Sequence, residues 1–349
     1  MIEQWSLTPL PLCGFGPARH YHPVTYLVRR GLAALGLIWL VLTLTFVLLH
    51  AAPGDAADLL VPPDASPEVA AQLRQELGLD RPITHQYGRW LANLLRGDFG
   101  ESFRRREPVR SMLASALPIS LWLGTMSLML TFVVGVAIGA LQASKRDQWT
   151  DRLLTGLTTA VYAAPSYWLS LTAVATFTYG LSRIGAPVWM RLPAFGVTSP
   201  ASDASGWTVL PDLIRHSILP IAVLAAVGAA GIARYARTAV LDLSRSEWVR
   251  TARAKGLTRS RVLFRHLLAN ALPPLVVLLM LALPGVVAGS VFVESIFAWP
   301  GMGRMMLEAI SARDYPVVMG VTVVYAALVV LANATSDVLL HAVDPRRRV

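Results

Sequence analysis

The sequence has few charged residues and almost no cysteine. Only 15% of its 349 residues are charged and 54% are hydrophobic, whereas a soluble protein carries about 25% charged residues. The single cysteine, Cys13, excludes an intrachain disulfide framework and any metal site built from several cysteines. The shortage of charge, together with several long apolar runs, predicts an integral membrane protein.

Signatures of nucleotide, metal and covalent chemistry are also missing. The sequence contains no glycine-rich loop ending in Gly-Lys-Ser/Thr, no HExxH, no CxxC and no serine elbow. None of its seven histidines pairs with another at the spacing of a metal site. Asp337 and Asn333 are exceptions to the near absence of intramembrane charge and polarity, and we interpret them as helix-end or inter-helix contacts. We therefore expect no cofactor or metal in this chain. Any energy that its function requires must come from outside the chain.

Six apolar runs are long enough to cross about 30 Å of hydrocarbon as helices. We predict spans at residues 27–49, 119–141, 153–179, 218–233, 272–292 and 316–340. The fourth run is rich in Ala and Gly, including Gly228 and Gly231, which favours close packing between helices over lipid contact. The predicted fold class is an all-α membrane protein with six transmembrane helices.

The polar segments divide the chain into parts. The first 23 residues contain four prolines and no long apolar core, so they do not resemble a cleaved signal peptide. The segment after the first span contains a short amphipathic helix at 68–77. The predicted parts are an N-terminal extension at 1–23, a first transmembrane helix at 24–50, an external segment at 51–117, a five-helix core at 118–343 and a tail at 344–349.

The net charge of +10 follows the predicted topology rather than a nucleic-acid-binding pattern. Six spans place both termini on one side, and the short segments of that side are strongly basic. The opposite loops are nearly neutral, because 51–117 carries eight basic and nine acidic residues and 184–215 carries two of each. The positive-inside rule then predicts that both termini are cytoplasmic.

The densest positive charge lies between the fourth and fifth spans. From Arg234 to Arg265 the sequence has nine basic residues, opposed only by Asp242 and Glu247. On composition alone, this stretch is either a basic loop attracted to anionic lipid or a docking element for a partner.

Within this stretch, residues 244–266 have the pattern of a helix, a glycine stop and a second helix. Ser244 and Glu247 fit a capping box that opens the first helix. Gly256 fits the left-handed residue that ends it, and Thr258 fits the cap of the second. We predict a compact helical hairpin that is attached to the membrane at both ends.

Prolines and glycines interrupt the third and fifth apolar runs. Pro165 lies inside the third, and Pro284, Gly285 and Gly289 lie inside the fifth. Broken backbone within a membrane is tolerated where it lines a cavity, so these four residues are the predicted translocation path. The alternative is that they only produce packing kinks.

Residues 247–257, reading EWVRTARAKGL, resemble the EAA loop of ABC importer permeases in the form used by the dipeptide/oligopeptide/nickel branch. The resemblance extends over nearly the whole chain after residue 23. Other matched segments are YLVRR at 26–30, APGD at 52–55, LGLDRP at 77–82, GDFGES at 97–102, PV at 108–109, FAWPGMGR at 297–304, RDYP at 313–316 and DPR at 344–346. The long external segment is similar to that of the first of the two permeases in such systems.

This resemblance implies a non-catalytic permease subunit of an ATP-driven importer in a bacterial inner membrane. It implies that a second, similar permease completes the path, that two cytoplasmic ATPases bind ATP and Mg, and that an external solute-binding protein delivers di- or oligopeptides. The residues expected to couple to the ATPases are Glu247, Trp248, Arg250, Thr251, Ala252, Ala254, Lys255 and Gly256.

The chemistry of the loop suits that role. Ala252 and Ala254 are small enough for close approach to a groove on a partner. Trp248, Thr251 and Lys255 share one helix face and form an anchor stripe. Arginines of the loop can pair with partner carboxylates through two hydrogen bonds.

The external segment has two open interpretations. Asp80, Tyr87, Asp98 and Phe99, with Trp90, can contact the solute-binding protein. Alternatively, these residues cover the second permease or fold back on the bilayer surface, where aromatic residues are common.

Two other classes of protein compete with the permease interpretation. A self-contained secondary transporter would need buried ionisable residues or an inverted repeat, and neither is clear in the sequence. A scaffold or receptor would not explain a capped hairpin between two spans. Within the importer branch, nickel chelates, glutathione and sugars are alternative cargoes.

Overall fold

A computed structural model describes residues 23–51, 57, 61, 66–199, 209–288 and 291–343. Within these ranges the chain is helical apart from connecting turns and one isolated bridge between Glu101 and Pro108. Most of the predicted extension at 1–23, Gly289 and the predicted tail at 344–349 lie outside the described residues.

The α-helices are numbered here in chain order. They are α1 Pro23–Ala51, α2 Pro67–Leu77, α3 Ile83–Leu95, α4 Val109–Ser144, α5 Trp149–Ala163, α6 Ser166–Ala173, α7 Leu210–Leu243, α8 Glu247–Ala254, α9 Leu268–Ala288, α10 Val291–Ile296, α11 Met302–Ser311 and α12 Tyr315–Val343. A π-helical stretch and a short turn, Val174–Gly180 and Leu181–Arg183, extend α6, and Val188–Met190 is a 3-10 turn. A turn at Arg259–Arg261 and a π-helical stretch at Val262–Leu267 lead directly into α9.

Five helices among the described residues are long and apolar enough to cross a membrane. They are Val28–Ala51, Val109–Ser144, Leu210–Leu243, Arg259–Val286 and Tyr315–Leu339. They contain the predicted first span apart from its first residue, the second and fourth spans, most of the fifth, and the sixth apart from its last residue. The predicted amphipathic helix at 68–77 is also present, as α2.

The predicted third span is two helices rather than one, and it is not among those five. Helix α5 ends at Ala163, and Pro165 precedes the first residue of α6. Ala164 between them is extended, with ψ at 134°, because the ring of a following proline disfavours helical backbone in the residue before it. The interruption predicted at Pro165 is therefore present.

The interruption predicted at Pro284 in the fifth span is wrong, because α9 continues through this residue. A proline in a helix leaves the carbonyl four residues earlier without its amide donor. Here that carbonyl belongs to Met280, and it accepts a 2.7 Å hydrogen bond from the hydroxyl of Ser336 on α12. A neighbouring helix thus replaces the missing bond and keeps α9 continuous.

The centre of the molecule is the close pairing of α4 and α7 along small residues. A Cβ on Gly139 would lie 2.4 Å from the carbonyl oxygen of Ala233, and one on Gly228 would lie 2.8 Å from the Thr131 side chain. Such distances exclude any side chain, so the two backbones approach each other directly. The close packing predicted for the fourth span is confirmed.

Helix α1 packs at the side of this core against α12 and α3. Leu42 and Phe46 are buried against Met319. An ion pair joins Arg30 to Asp337, which is the inter-helix contact expected for that aspartate.

Candidate functional site

The basic hairpin is built on an apolar base. Helix α8 buries Val249 completely and Ala252 almost completely. These two side chains pack with Val240 at the end of α7 and with Val262 at the start of the next helical run. Burial of a valine side chain stabilises a fold by about 2 kcal/mol, so this base fixes α8 across the ends of two membrane helices.

The caps of the hairpin differ from the prediction at one end and agree with it at the other. The capping box predicted at Ser244 is wrong, because Ser244 is the C-terminal cap of α7 and its hydroxyl donates a hydrogen bond to the Leu241 carbonyl. Ser246 is the residue before α8. Gly256 has φ at +81°, the left-handed conformation predicted for it, and few residues except glycine adopt this readily.

The second arm of the hairpin begins at the predicted cap. Thr258 Oγ1 accepts a 3.4 Å hydrogen bond from the Arg261 amide. This satisfies one of the amides that a helix start leaves without an internal partner.

The opposite face of α8 is exposed and polar. The Glu247 and Arg250 carboxylate and guanidinium groups form an exposed ion pair at 3.0 Å. Trp248, which is 39% exposed, lies at the edge of this face, with its ring centroid 6.4 Å from that of His266. The other exposed members of the predicted coupling set are Thr251, Ala254, Lys255 and Gly256.

One residue of the predicted coupling set points the other way. Ala252 packs into the apolar base, so its small size serves packing inside this chain rather than close approach to a partner. The helix periodicity explains the difference, since Val249 and Ala252 are three residues apart and share the inner face.

A buried ion pair joins α5 to α7 close to the start of the hairpin. Asp151 is 3% exposed and accepts two hydrogen bonds from the Arg237 guanidinium, at 3.0 and 2.8 Å. It also accepts one from the Asp147 amide at 3.1 Å. The Arg237 hydrogen bonds lower the pKa of Asp151, which precedes the predicted third span. The pair fixes α5 to α7 six residues before α7 ends.

At the other end of the molecule, a buried carboxylate organises the turn into α11. Glu294 is 1% exposed and accepts hydrogen bonds from the Ser120 hydroxyl and the Arg304 amide, both at 3.0 Å. The Ser120 hydroxyl oxygen in turn accepts a hydrogen bond from the Met302 amide at 2.8 Å. A negative group at a helix start is favourable because of the helix dipole. Burial nevertheless raises the pKa of Glu294.

The space around this carboxylate requires glycine. A Cβ on Gly301 would lie 2.5 Å from Glu294 Oε2 and 2.6 Å from Ser120 Oγ. The glycine in the WPGMG segment is therefore explained by close approach to a side chain rather than by an unusual backbone angle.

A second buried carboxylate joins two of the matched sequence segments. The Asp314 carboxylate accepts three hydrogen bonds. The donors are the Ser102 hydroxyl at 2.5 Å, the Phe103 amide at 3.0 Å and the Arg104 amide at 3.3 Å. Ser102 closes the GDFGES segment and Asp314 belongs to RDYP. These segments are far apart in sequence and form one structural unit. We call Glu294, Asp314 and their hydrogen-bond donors the carboxylate locks.

The structure places the five residues of the external segment in two kinds of environment. Tyr87 bonds the Thr43 hydroxyl at 2.7 Å and Trp90 packs against α1. Phe99 packs against the core cluster formed by α4, α11 and α12. These aromatic residues thus serve packing within the chain, whereas Asp80 and Asp98 have exposed side chains.

The predicted path residues are not brought together by the described part of the structure. Gly285 lines a cavity of about 290 Å³ among α4, α7 and α9, together with Gly124, Gly228 and Glu294. Pro165 is exposed at the helix break. Pro284 is partly buried within α9, and Gly289 lies outside the described residues.

Sequence reasoning missed the carboxylate locks and the Asp151–Arg237 pair. Their partners lie 174, 212 and 86 positions apart, which no local pattern links. A usable signal was available for Glu294, because it is an isolated acid that directly follows an apolar run. Such a residue is either at a membrane boundary or buried with donors.

Two family descriptions match this chain. One, described as a binding-protein-dependent transport system inner membrane component, matches residues 135–349. The other describes the N-terminal part of such components and matches residues 24–124.

Individual relatives match along nearly their whole length. An oligopeptide transport system permease protein, AppB of Bacillus subtilis, is 36% identical over 92% of this chain and 98% of its own. A glutathione transport system permease protein, GsiC of Escherichia coli, is 33% identical over 93% and 99%. A solved structure of the MetNI methionine ABC transporter is 19% identical over 67% of this chain and 97% of its own, with a TM-score of 0.48.

The two family matches and the permease relatives confirm the resemblance found in the sequence to permeases of the peptide branch. The chain belongs to the family of binding-protein-dependent transport system inner membrane components, as a permease subunit of an ABC importer.

Proposed function

We propose that residues 244–266 are the coupling hairpin through which cytoplasmic ATPase subunits drive this permease. The observation that carries the proposal is the two-sided character of α8. Val249 and Ala252 fix its inner face to two membrane helices, while its outer face presents Trp248 and Arg250 to solvent. A rigid helix with a free polar face can transmit a push from a partner into the spans.

The chemistry of the outer face fits an acidic groove on the partner. Exposed side chains of the hairpin include Arg245, Arg253, Lys255, Arg261 and Arg265. Guanidinium groups pair with carboxylates through two hydrogen bonds, which gives direction as well as affinity. The hairpin itself supplies few acids, so a partner would provide the opposite charge.

This assignment places the hairpin and both termini in the cytoplasm, in agreement with the positive-inside rule. The turn that leads into α11 and residues 66–108 then face the outside of the membrane. Asp80 and Asp98 are the proposed contacts with the solute-binding protein, since their side chains are exposed. The cavity lined by Gly285 is the proposed part of the path in this half of the transporter, which a second permease would complete.

Short peptides are the proposed cargo. Support comes from the relatives, one of which is described as an oligopeptide permease and another as a glutathione permease. Glutathione is the competing cargo. Uptake of labelled dipeptides, tetrapeptides and glutathione by the reconstituted transporter would separate them. We expect uptake of the labelled dipeptides and tetrapeptides but not of glutathione.

Replacement of Gly256 by valine tests the coupling role. A side chain at φ +81° costs roughly 1–2 kcal/mol of backbone strain and displaces the loop that follows α8. We expect peptide uptake into proteoliposomes to fall about tenfold, since 1.4 kcal/mol corresponds to a factor of ten in an equilibrium. ATP hydrolysis measured in the same vesicles should lose its dependence on cargo.

Gly185→Val is the matched control. Gly185 also has positive φ, +70°, with nothing within 4 Å of its Cβ position, but it lies in a different loop. The Gly185→Val variant has a similar backbone strain and should keep ATP hydrolysis that is stimulated by cargo. Wild-type uptake by Gly256→Val, or equal uncoupling by both variants, would show that the hairpin is not the coupling element.

A further inference from the structure

An apolar groove of about 780 Å³ runs between α4 and the helical run that leads into α9. Most of its lining is aliphatic or aromatic. Its apolar lining includes Val133, Ala137, Leu263, Phe264 and Leu272. Several of these are well exposed, including Val133 at 68% and Phe264 at 68%. A surface of this kind needs an apolar occupant.

One end of the groove is polar and cationic. Lys145 and Gln148 come from the turn after α4, and Arg259 and Ser260 come from the start of the second arm of the hairpin. None of the lining residues is an acid. Ser144, at the end of α4, also lines this part of the groove. Two cations, two hydroxyls and an amide thus line one end of a channel whose other lining residues are apolar.

The helix wall of this groove has an irregular backbone. Leu263 and Phe264 lie within the π-helical stretch Val262–Leu267. π-Helical turns are rare and occur frequently at functional sites. Here the stretch carries two of the groove's apolar lining residues close to its cationic mouth.

We propose that this groove binds an anionic phospholipid of the cytoplasmic leaflet. The phosphate would lie between Lys145 and Arg259, and an acyl chain would follow the apolar channel towards Leu272. Basic pockets between membrane helices on the cytoplasmic side are suited to anionic lipid headgroups. A transmembrane helix of another subunit would match the apolar part but would leave the two cations without an anion, so the lipid fits the whole groove better.

A lipid in this groove would regulate the coupling role proposed for the hairpin. Arg259 directly follows Thr258, the cap of the second arm, and Lys145 follows α4. A bound phosphate would therefore connect the hairpin to α4 by charge. Transport should then depend on the anionic lipid content of the membrane, whatever the cargo.

The test is native mass spectrometry of the full-length chain in detergent, titrated with phosphatidylglycerol or phosphatidylcholine. Each basic residue near an anionic lipid contributes roughly fivefold to affinity, so the Lys145→Gln/Arg259→Gln double variant should bind phosphatidylglycerol about thirtyfold more weakly. Phosphatidylcholine binding should hardly change. Arg152→Gln is the control, because Arg152 is exposed, lies nearby and does not line the groove.

A second variant tests the channel separately from the charges. Ala137 is exposed and lines the groove, so Ala137→Trp should obstruct the acyl chain and reduce the bound phosphatidylglycerol with both cations present. Equal affinity for the two lipids, or equal loss in Arg152→Gln, would overturn the proposal. So would loss of the lipid when the second permease is added, since that would identify the subunit as the occupant.

Discussion

The carboxylate locks and the hairpin at residues 244–266 use charge in opposite ways. Glu294 and Asp314 are buried acids with several donors each, and they join segments that are far apart in the chain. The hairpin holds its charges outward on a helix that is packed through apolar contacts of Val249 and Ala252. The first arrangement determines one geometry, and the second leaves charge available to a partner.

The difference has an energetic basis. A buried carboxylate is tolerated only when donors replace its lost water, so removal of either side is costly. An exposed ion pair such as Glu247–Arg250 contributes between 0 and about 1 kcal/mol to stability. Substitutions in the locks should therefore lower stability, whereas substitutions on the hairpin face should lower function at nearly constant stability.

The largest effect is expected for Glu294→Ala. This variant leaves the Ser120 hydroxyl and the Arg304 amide without their acceptor in a buried site, and each such orphan costs about 1–3 kcal/mol. We expect a loss of roughly 2–6 kcal/mol in stability, measured by thermal unfolding of the purified protein in detergent. Glu247→Ala is the control and should stay within about 0.5 kcal/mol of wild type. Similar melting temperatures for the two variants would contradict a stabilising role of the buried Glu294 carboxylate.

A smaller effect is expected for Asp151→Asn, which leaves the Arg237 guanidinium beside a neutral amide. Loss of one partner of a buried pair costs about 3 kcal/mol, and Arg237 is 30% exposed, so water offsets part of this. Arg146→Gln is the control, because its pair with Asp147 is exposed. Its melting temperature should hardly change. Comparable losses in both variants would show that burial of the pair is unimportant.

Acidification should reproduce the Asp151→Asn effect in the wild-type protein. Arg237 lowers the pKa of Asp151 in the folded state. The resulting stability is fully present above the ordinary aspartate pKa and is lost as the pH falls through the lowered value. The melting-temperature difference between wild type and Asp151→Asn should therefore be constant near neutral pH and should shrink in acid. A difference that grows on acidification would contradict the ion pair.

The sequence predicted features that depend on short stretches of residues. Apolar runs long enough for a membrane produced helices, and Gly256 and Thr258 ended and began the hairpin arms as expected. The start of α8 was ambiguous, because Ser244 and Ser246 both precede Glu247 closely. Only the path of α7, which ends at Leu243, distinguishes them.

Features that depend on distant residues could not be predicted in this way. Pro284 does not break α9 because Ser336, on another helix, bonds the carbonyl that the proline leaves free. Ser120 and Ser102 have no local property that identifies them as donors to buried acids. In each case the deciding partner is set by how the helices pack, which a linear pattern does not contain.

The Trp248→Ala/Arg250→Ala variant should have the smallest effect on stability. It should have the largest effect on binding of the ATPase subunits. Both side chains belong to the exposed face of α8 and neither belongs to its apolar base. Surface substitutions of this kind usually change stability by less than about 0.5 kcal/mol. Aromatic and arginine side chains, however, often dominate the binding energy of an interface.

Binding of the partner ATPases to this double variant in lipid nanodiscs tests the coupling role of the hairpin. We expect ATPase affinity to fall about a hundredfold or more, since truncation of two such residues costs at least roughly 3 kcal/mol, with an unchanged melting temperature. Wild-type affinity for the ATPases in a correctly folded variant would contradict the coupling hairpin.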